Sequence, residues 1–288
     1  TTSRNSNLAL IDFIEDYLKS YGISAIRVDH EPGKTNLYAT IGPDIAGGIV
    51  LSGHTDVVPV DGQSWASDPF MLEERGGLYY GRGTADMKGF IAACLALVPE
   101  FLARPLKRPI HFAFSCDEEV GCRGVRPLIA YMREYLPKPL AVIVGEPTSM
   151  QVVNAHKASH SFETEVTGRA AHSSCAHQGV NAIMVAGELI GELNRLAREL
   201  KECGDPTGAF DPPYSSLQIG LIGGGTAKNI VAQNCAFSWE TRLLPGADPK
   251  EVPQRLERFA EGLLPAIRTI APEAGIRTSH TNMVPGLR

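Results

Sequence analysis

The sequence has no uninterrupted apolar run long enough to cross a bilayer. Its first residues, Thr1-Thr2-Ser3-Arg4-Asn5-Ser6-Asn7, hold no apolar core of the secretory-signal kind. No two of its six cysteines stand as C-x-x-C. Cys94, Cys116, Cys122, Cys175, Cys203 and Cys235 are scattered, so neither a disulfide framework nor a cysteine zinc site is expected. A strong charge of either sign is also missing. Lys and Arg number 27 against 32 Asp and Glu, and the net charge of −5 speaks against nucleic acid or an anionic membrane as partner. There is no G-x-x-x-x-G-K-[ST] string, which discounts a nucleotide-binding domain built on the glycine-rich turns. No internal repeat and no low-complexity segment occurs. What remains is globular: 288 residues, 43% hydrophobic and 20% charged, suffice for one large domain or two ordinary ones. The cytoplasm is the expected compartment.

Periodicity divides the chain. Residues 8–21 place apolar side chains at Leu10, Ile11, Phe13, Ile14, Tyr17 and Leu18, a helical stripe that Gly22 ends. Residues 36–41 and 48–52 read as strands, the I-V-L at 49–51 being of the buried kind. A helix is predicted over 87–102, strands over 110–115 and 140–144, and a helix over 125–136 between them. This alternation predicts an open, doubly wound α/β sheet with helices on both faces. The pattern changes after that. S-H-S-F-E-T-E-V-T at 159–167 alternates as a half-solvated strand. A long helix follows over 181–200, then strands over 215–222 and 230–243, a helix over 249–264 and a short strand over 275–281. The order β-α-β-β-α-β predicts a compact ferredoxin-like α+β unit, inserted at 158–282 into a domain formed by 1–157 and 283–288.

Four clusters bearing chemistry lie at predicted strand ends, where open α/β sheets gather their ligands. The first is S-G-H-T-D-V-V-P, with His54 and Asp56 two apart and so on one side of extended chain. A carboxylate beside an imidazole can hold the tautomer a metal needs, although an isolated H-x-D is ordinarily a surface histidine near a turn. The second is G-R-G-T-A-D-M-K-G, where Asp86 is either a ligand or an N-cap. The third is C-D-E-E-V-G, whose adjacent carboxylates Asp117, Glu118 and Glu119 repel one another unless solvent or a cation stabilises them. The fourth is G-E-P-T, which puts Glu146 after an apolar strand. Each cluster alone is weak. Together they deliver one imidazole and several carboxylates from successive strand ends, a donor set suited to zinc, cobalt or manganese.

These strings resemble, in order and spacing, the zinc aminoacylase and carboxypeptidase family that includes acetylornithine deacetylase, succinyl-diaminopimelate desuccinylase and glutamate carboxypeptidase. G-E-P-T-S-M, T-G-R-A-A-H-S-S and the stretch 214–221 look most like the acetylornithine deacetylases. The resemblance implies two divalent metal ions. His54 would bind one, Asp86 would bridge both, Glu119 would bind the second and Glu146 the first. Glu118 would be the general base, Asp56 would orient His54, and the Asp86–Met87 peptide would be cis. His172 would reach a partner subunit's site to stabilise an oxyanion, while Asn229 and Arg242 would hold the amide oxygen and carboxylate of a small N-acyl amino acid. It further implies a homodimer formed through the inserted unit, and removal of the acetyl group of N-acetylornithine, a step of arginine biosynthesis.

The residue types alone leave His172 readable as a turn histidine, Asn229 as a turn residue and Arg242 as a strand-face charge. Rival substrates within the family are succinyl-diaminopimelate, dipeptides, carboxypeptidase substrates and other acylated amino acids. A metal-free binding homologue is the rival of another class, and the presence of Glu118 beside the ligand set argues against it. The family also carries a last metal-binding histidine near its C-terminus, on a returning segment that completes the catalytic sheet. This sequence stops at Val284-Pro285-Gly286-Leu287-Arg288, where that segment is expected to begin, and its N-terminus starts late. None of His30, His111, His156, His160, His177 or His280 stands in the matching motif. A fragment, with one metal short of a ligand, is therefore expected.

Overall fold

The computed structural model describes residues 1–288. Two compact units divide at the Val152/Val153 junction. The first unit holds α1 (Leu8–Ser20), β1 (Ala25–Glu31), β2 (Lys34–Ile41), β3 (Ile49–His54), β4 (Glu73–Arg75), β5 (Leu78–Tyr80), α2 (Lys88–Ala96), α3 (Val98–Leu102), β6 (Ile110–Ser115), α4 (Val125–Tyr135) and β7 (Ala141–Val144). Five of its strands form one sheet in the order β1-β2-β6-β3-β7. β3 runs parallel to both β6 and β7, whereas β1, β2 and β6 are antiparallel neighbours.

Both faces of the sheet are covered over its central strands, because strands that alternate two apolar faces need a helix on each, while the edge strand β7 stays exposed. Ile11, Ile14 and Leu18 of α1 and Ile91 and Leu95 of α2 pack with Leu37, Phe112 and Phe114 on one face. Leu128 of α4 packs with Tyr38, Val50 and Ala113 on the other. Each such fully buried aliphatic or aromatic side chain contributes roughly 1.5–3 kcal/mol relative to exposure. The doubly wound α/β class expected from the sequence is the fold found, with an antiparallel flank added at β1 and β2.

Two sequence readings of this unit change. The helix expected over 87–102 is two helices that meet at Leu97, with a proline in the first turn of the second. The strand β1 and the hairpin β4–β5, which turns at Gly76-Gly77, were not anticipated.

The second unit contains β8 (Ala158–Thr167), a short 3-10 helix (Ser173–Gln178), α5 (Ala182–Glu202), β9 (Ser216–Gly224), β10 (Asn234–Leu243), α6 (Glu251–Ile270) and β11 (Gly275–Val284). Its antiparallel sheet has the order β11-β8-β10-β9. The two helices pack on one face, where Leu189, Leu193 and Leu256 meet Phe162, Phe237 and Trp239. Asn181 caps α5 by accepting from the Ile183 and Met184 amides at 3.0 and 3.2 Å. β11 is longer than its sequence pattern indicated. Met283 and Val284 pair with His160 and Ser159, and Leu287 bridges to His156, so 283–288 make their contacts within this second unit. All six cysteines are free, and no helix is long and apolar enough to cross a membrane.

Candidate metal centre

The parallel strands of the first unit end together. His54 is the last residue of β3 and lies in register with Ser115, the last of β6. Ser52 is in register with Val144, the last of β7. Glu118 and Glu119 follow β6 by three and four residues, and Glu146 follows β7 by two, so chain direction alone delivers them to one edge. Asp86 arrives from the glycine-rich turn before α2. Two glycines let these turns close: a Cβ on Gly89 would lie 2.2 Å from the Thr84 carbonyl oxygen, and one on Gly145 would lie 2.0 Å from the Phe90 ring.

The side chains converge on the His54 imidazole. Its Nε2 lies 2.9 Å from Asp86 Oδ1, 3.7 Å from Glu146 Oε1 and 3.8 Å from Glu118 Oε2. Two triads have ligating atoms within 4.8 Å of one another: His54, Asp86 and Glu119, and His54, Glu118 and Glu146. His54 is common to both. Asp86 does not cap α2, which begins at Lys88 behind Met87 and has no side-chain cap. That leaves its carboxylate free to face the histidine. The Asp86–Met87 peptide is cis, as the resemblance implied.

Protonation follows from the geometry. His54 Nδ1 is 2.9 Å from the Asp56 carbonyl, which can only accept, so Nδ1 carries the hydrogen. Nε2, 2.9 Å from Asp86 Oδ1, then either donates to that carboxylate as an imidazolium or offers its lone pair to a cation held among the carboxylates. Burial of His54 opposes the charged imidazolium, yet the charges of Glu118, Asp56 and Glu146 together raise its pKa. Burial, and then the Asp86 charge, raises Glu119. Burial likewise raises Glu146, with His54 opposing and Glu118 and Asp86 adding to the rise. One imidazole among four carboxylates that repel one another is a donor set that fits hard-to-borderline divalent cations.

Asp56 is placed differently from the simple orienting role read in the sequence. It holds the imidazole through its backbone carbonyl, while its carboxylate stands 3.6 Å from Nδ1. That carboxylate accepts the amides of Glu118 and Glu119 at 3.1 and 3.2 Å and the Ser3 hydroxyl at 2.8 Å. One buried side chain thus fixes the loop that carries two of the acidic groups. The sequence reading missed three further supports. Lys34, buried on β2, pairs with Asp117, whose φ of 51° opens the loop. Asn7 donates to the Thr35 carbonyl and the Thr55 hydroxyl at 2.8 and 3.0 Å. The Cys122 thiol lies 3.2 Å from Glu118 Oε1. Burial, and then the Glu118 charge, pushes the Cys122 pKa up to about 12.

In the second unit, His172 precedes the 3-10 helix, is exposed, and lies 2.8 Å from the Ser174 hydroxyl through Nδ1. It bridges Ile230, and the Ser173 amide donates to the Asn229 carbonyl at 3.0 Å, so His172 and Asn229 are neighbours. Arg242 is not with them. It stands near the far end of β10, paired with Glu240 at 3.2 Å. Eight strand steps separate it from Asn234, or ~26 Å at about 3.3 Å per residue.

Residues 50–264 match the model of peptidase family M20/M25/M40. The chain belongs to this family. Solved structures of similar fold include an M20 metallo-carboxypeptidase, Sso-CP2, from Sulfolobus solfataricus, at 21% identity and TM-score 0.74, covering 96% of this chain and 73% of that one. Human carnosine dipeptidase 1 aligns at 19% identity and TM-score 0.66, covering 97% and 72%. The Bacillus subtilis YXEP protein, described as a dinuclear metal-binding peptidase, aligns at 16% identity and TM-score 0.61, covering 98% and 70%. The cluster around His54 in this M20 chain is the kind of centre such a peptidase family requires.

Proposed function

We propose that this M20 chain belongs to a cytoplasmic hydrolase that removes the acetyl group of N-acetylornithine. The observation that carries the reaction class is the convergence of Asp86, Glu118, Glu119 and Glu146 on one buried imidazole. The deacetylase strings G-E-P-T-S-M and T-G-R-A-A-H-S-S support the choice of substrate. His54, Asp86, Glu119 and Glu146 would hold two divalent cations, with Asp86 shared. When bound, such a pair supplies Lewis-acid polarisation of the amide carbonyl and acidifies water.

The chain's own residues do the rest. Glu118 takes a proton from the attacking water and returns it to the amine nitrogen as the C–N bond breaks, releasing acetate and the free amino acid. Asp56 keeps Glu118 and Glu119 in place through their amides. His172 donates to the oxygen that gains charge as water adds, and Asn229 donates to the same amide oxygen. Arg242 offers a planar fork to the substrate carboxylate. A panel of N-acetylornithine, succinyl-diaminopimelate and a dipeptide tests the assignment on the purified protein with added zinc or cobalt. The expected kcat/KM for N-acetylornithine exceeds the others by about tenfold or more. Preference for either alternative overturns the substrate.

The enzyme acts as a homodimer in this reading, with His172 serving the partner's site. The ~26 Å of strand between the Asn229 end and Arg242 supports it, because one small acyl amino acid cannot touch both ends of the same unit. β9 is a sheet edge bearing exposed Leu221 and Ile222, beside exposed Ile183 and Met184 of α5, an apolar face suited to a symmetric pairing. Mixing two inactive variants, H172A and E118Q, is then expected to restore about a quarter of wild-type activity, since half the dimers are mixed and each has one intact site. No recovery after demonstrated subunit exchange contradicts the cross-subunit role.

A further inference from the structure

Glu118 sits in a turn whose geometry the proposed reaction does not by itself explain. The Gly121 and Cys122 amides both donate to the Glu118 carbonyl, at 2.9 and 2.8 Å, and the Arg123 amide donates to the Asp117 carbonyl at 3.0 Å. This single turn brings residue 122 against residue 118, as neighbours four apart meet on a helix. The Cys122 backbone is left-handed, with φ 53°. Its Sγ approaches Glu118 Oε1 at 3.2 Å, while Oε2 of the same carboxylate faces His54 Nε2 at 3.8 Å. A carboxylate accepts only, so the thiol is the donor.

We propose that Cys122 is a positioning residue for Glu118: its S–H holds Oε1 and so presents Oε2 to the centre. The proposal rests on the reading of Glu118 as the base. A general base acts only within hydrogen-bond reach of the proton it takes, and a free glutamate side chain samples several rotamers. A thiol suits the task. It is a weak, neutral donor that fixes an oxygen without the charge neutralisation a lysine or arginine would impose.

C122A and C122S test this, compared with wild type for zinc content, thermal stability and kinetics on the acylated substrate the enzyme prefers. Cys, Ala and Ser meet the same backbone cost at a left-handed position, so the comparison isolates the donor. C122A is expected to lower kcat about tenfold with KM within about twofold and zinc content unchanged, and C122S to restore kcat to within about twofold. Undiminished kcat in C122A, or C122S as impaired as C122A, overturns the proposal. A second readout needs no turnover. The infrared S–H band lost in C122S is expected at lower frequency than the band of exposed Cys203 lost in C203S, and it is expected to rise in E118A. A Cys122 band at the free-thiol position also overturns the proposal. A protein inactive on every acylated amino acid yet showing the lowered band would instead indict the assigned reaction.

Discussion

Replacing Glu118 with glutamine is expected to lower kcat by about 10²–10⁴-fold while leaving KM and bound metal nearly unchanged. Glutamine keeps the shape of the side chain and an oxygen for the Cys122 thiol, but it cannot take a proton. The Asp56 carboxylate binds the backbone amide of residue 118, which the substitution does not touch. Steady-state kinetics with metal analysis on the same sample separates two roles. Glu118 belongs to a candidate ligand triad with His54 and Glu146, so it could serve as a ligand instead. In that case E118Q would lose metal together with activity. Loss of turnover at full metal content identifies a base.

Replacing His54 with alanine is expected to remove the metal it would hold with Glu146 and reduce activity to background. His54 is the nitrogen common to both triads, and it is 2% exposed. Its deletion leaves four carboxylates, the Asp86 side chain exposed and the others half-buried, facing one another without their imidazole, and one cation site loses its nitrogen donor. Glu119 would hold the second metal, so E119A and H54A are each expected to retain about one metal per chain. Metal analysis after gel filtration reads both. Equal metal content in H54A and wild type would show that the cations bind elsewhere. Circular dichroism guards against a trivial result, because a buried histidine truncation also leaves a cavity.

Much of this arrangement was legible in the chain itself, for identifiable reasons. β3 and β6 are apolar runs buried between helices and β7 is an apolar run at the sheet edge, and strong runs of this kind announce strands whatever their surroundings. Their direction then fixes where the next few residues lie, which is why His54, Glu118, Glu119 and Glu146 could be gathered before any coordinates. β1 escaped because Ala25–Glu31 alternates only Ile26 and Val28 with charged neighbours at a sheet edge, a pattern shared with exposed loops. The β4–β5 hairpin escaped although Gly76-Gly77 between two short runs was a turn signal. Pro99 was the overlooked mark of the break near Leu97.

The supports of the centre were hidden for a different reason. Lys34 and Asp117 are 83 residues apart, and Asp56 reaches amides more than sixty residues away. No spacing rule encodes such pairs; only the folded sheet brings them together. The Cys122–Glu118 contact was the exception, since an i,i+4 pair is visible in C-D-E-E-V-G-C once a turn is assumed. The fork between ligand and cap at Asp86 was resolved by the position of Met87, a distinction of one residue that periodicity cannot draw.

The central claim is that divalent cations bind where Asp86, Glu118, Glu119 and Glu146 surround His54. Anomalous scattering at the zinc absorption edge, from crystals of the protein grown with zinc, tests it most directly. The account predicts one strong peak within coordination distance of His54 Nε2 and the Glu146 carboxylate, and a second within reach of the Asp86 and Glu119 carboxylates. A map with no peak beside His54, at a zinc concentration that restores activity, would contradict it.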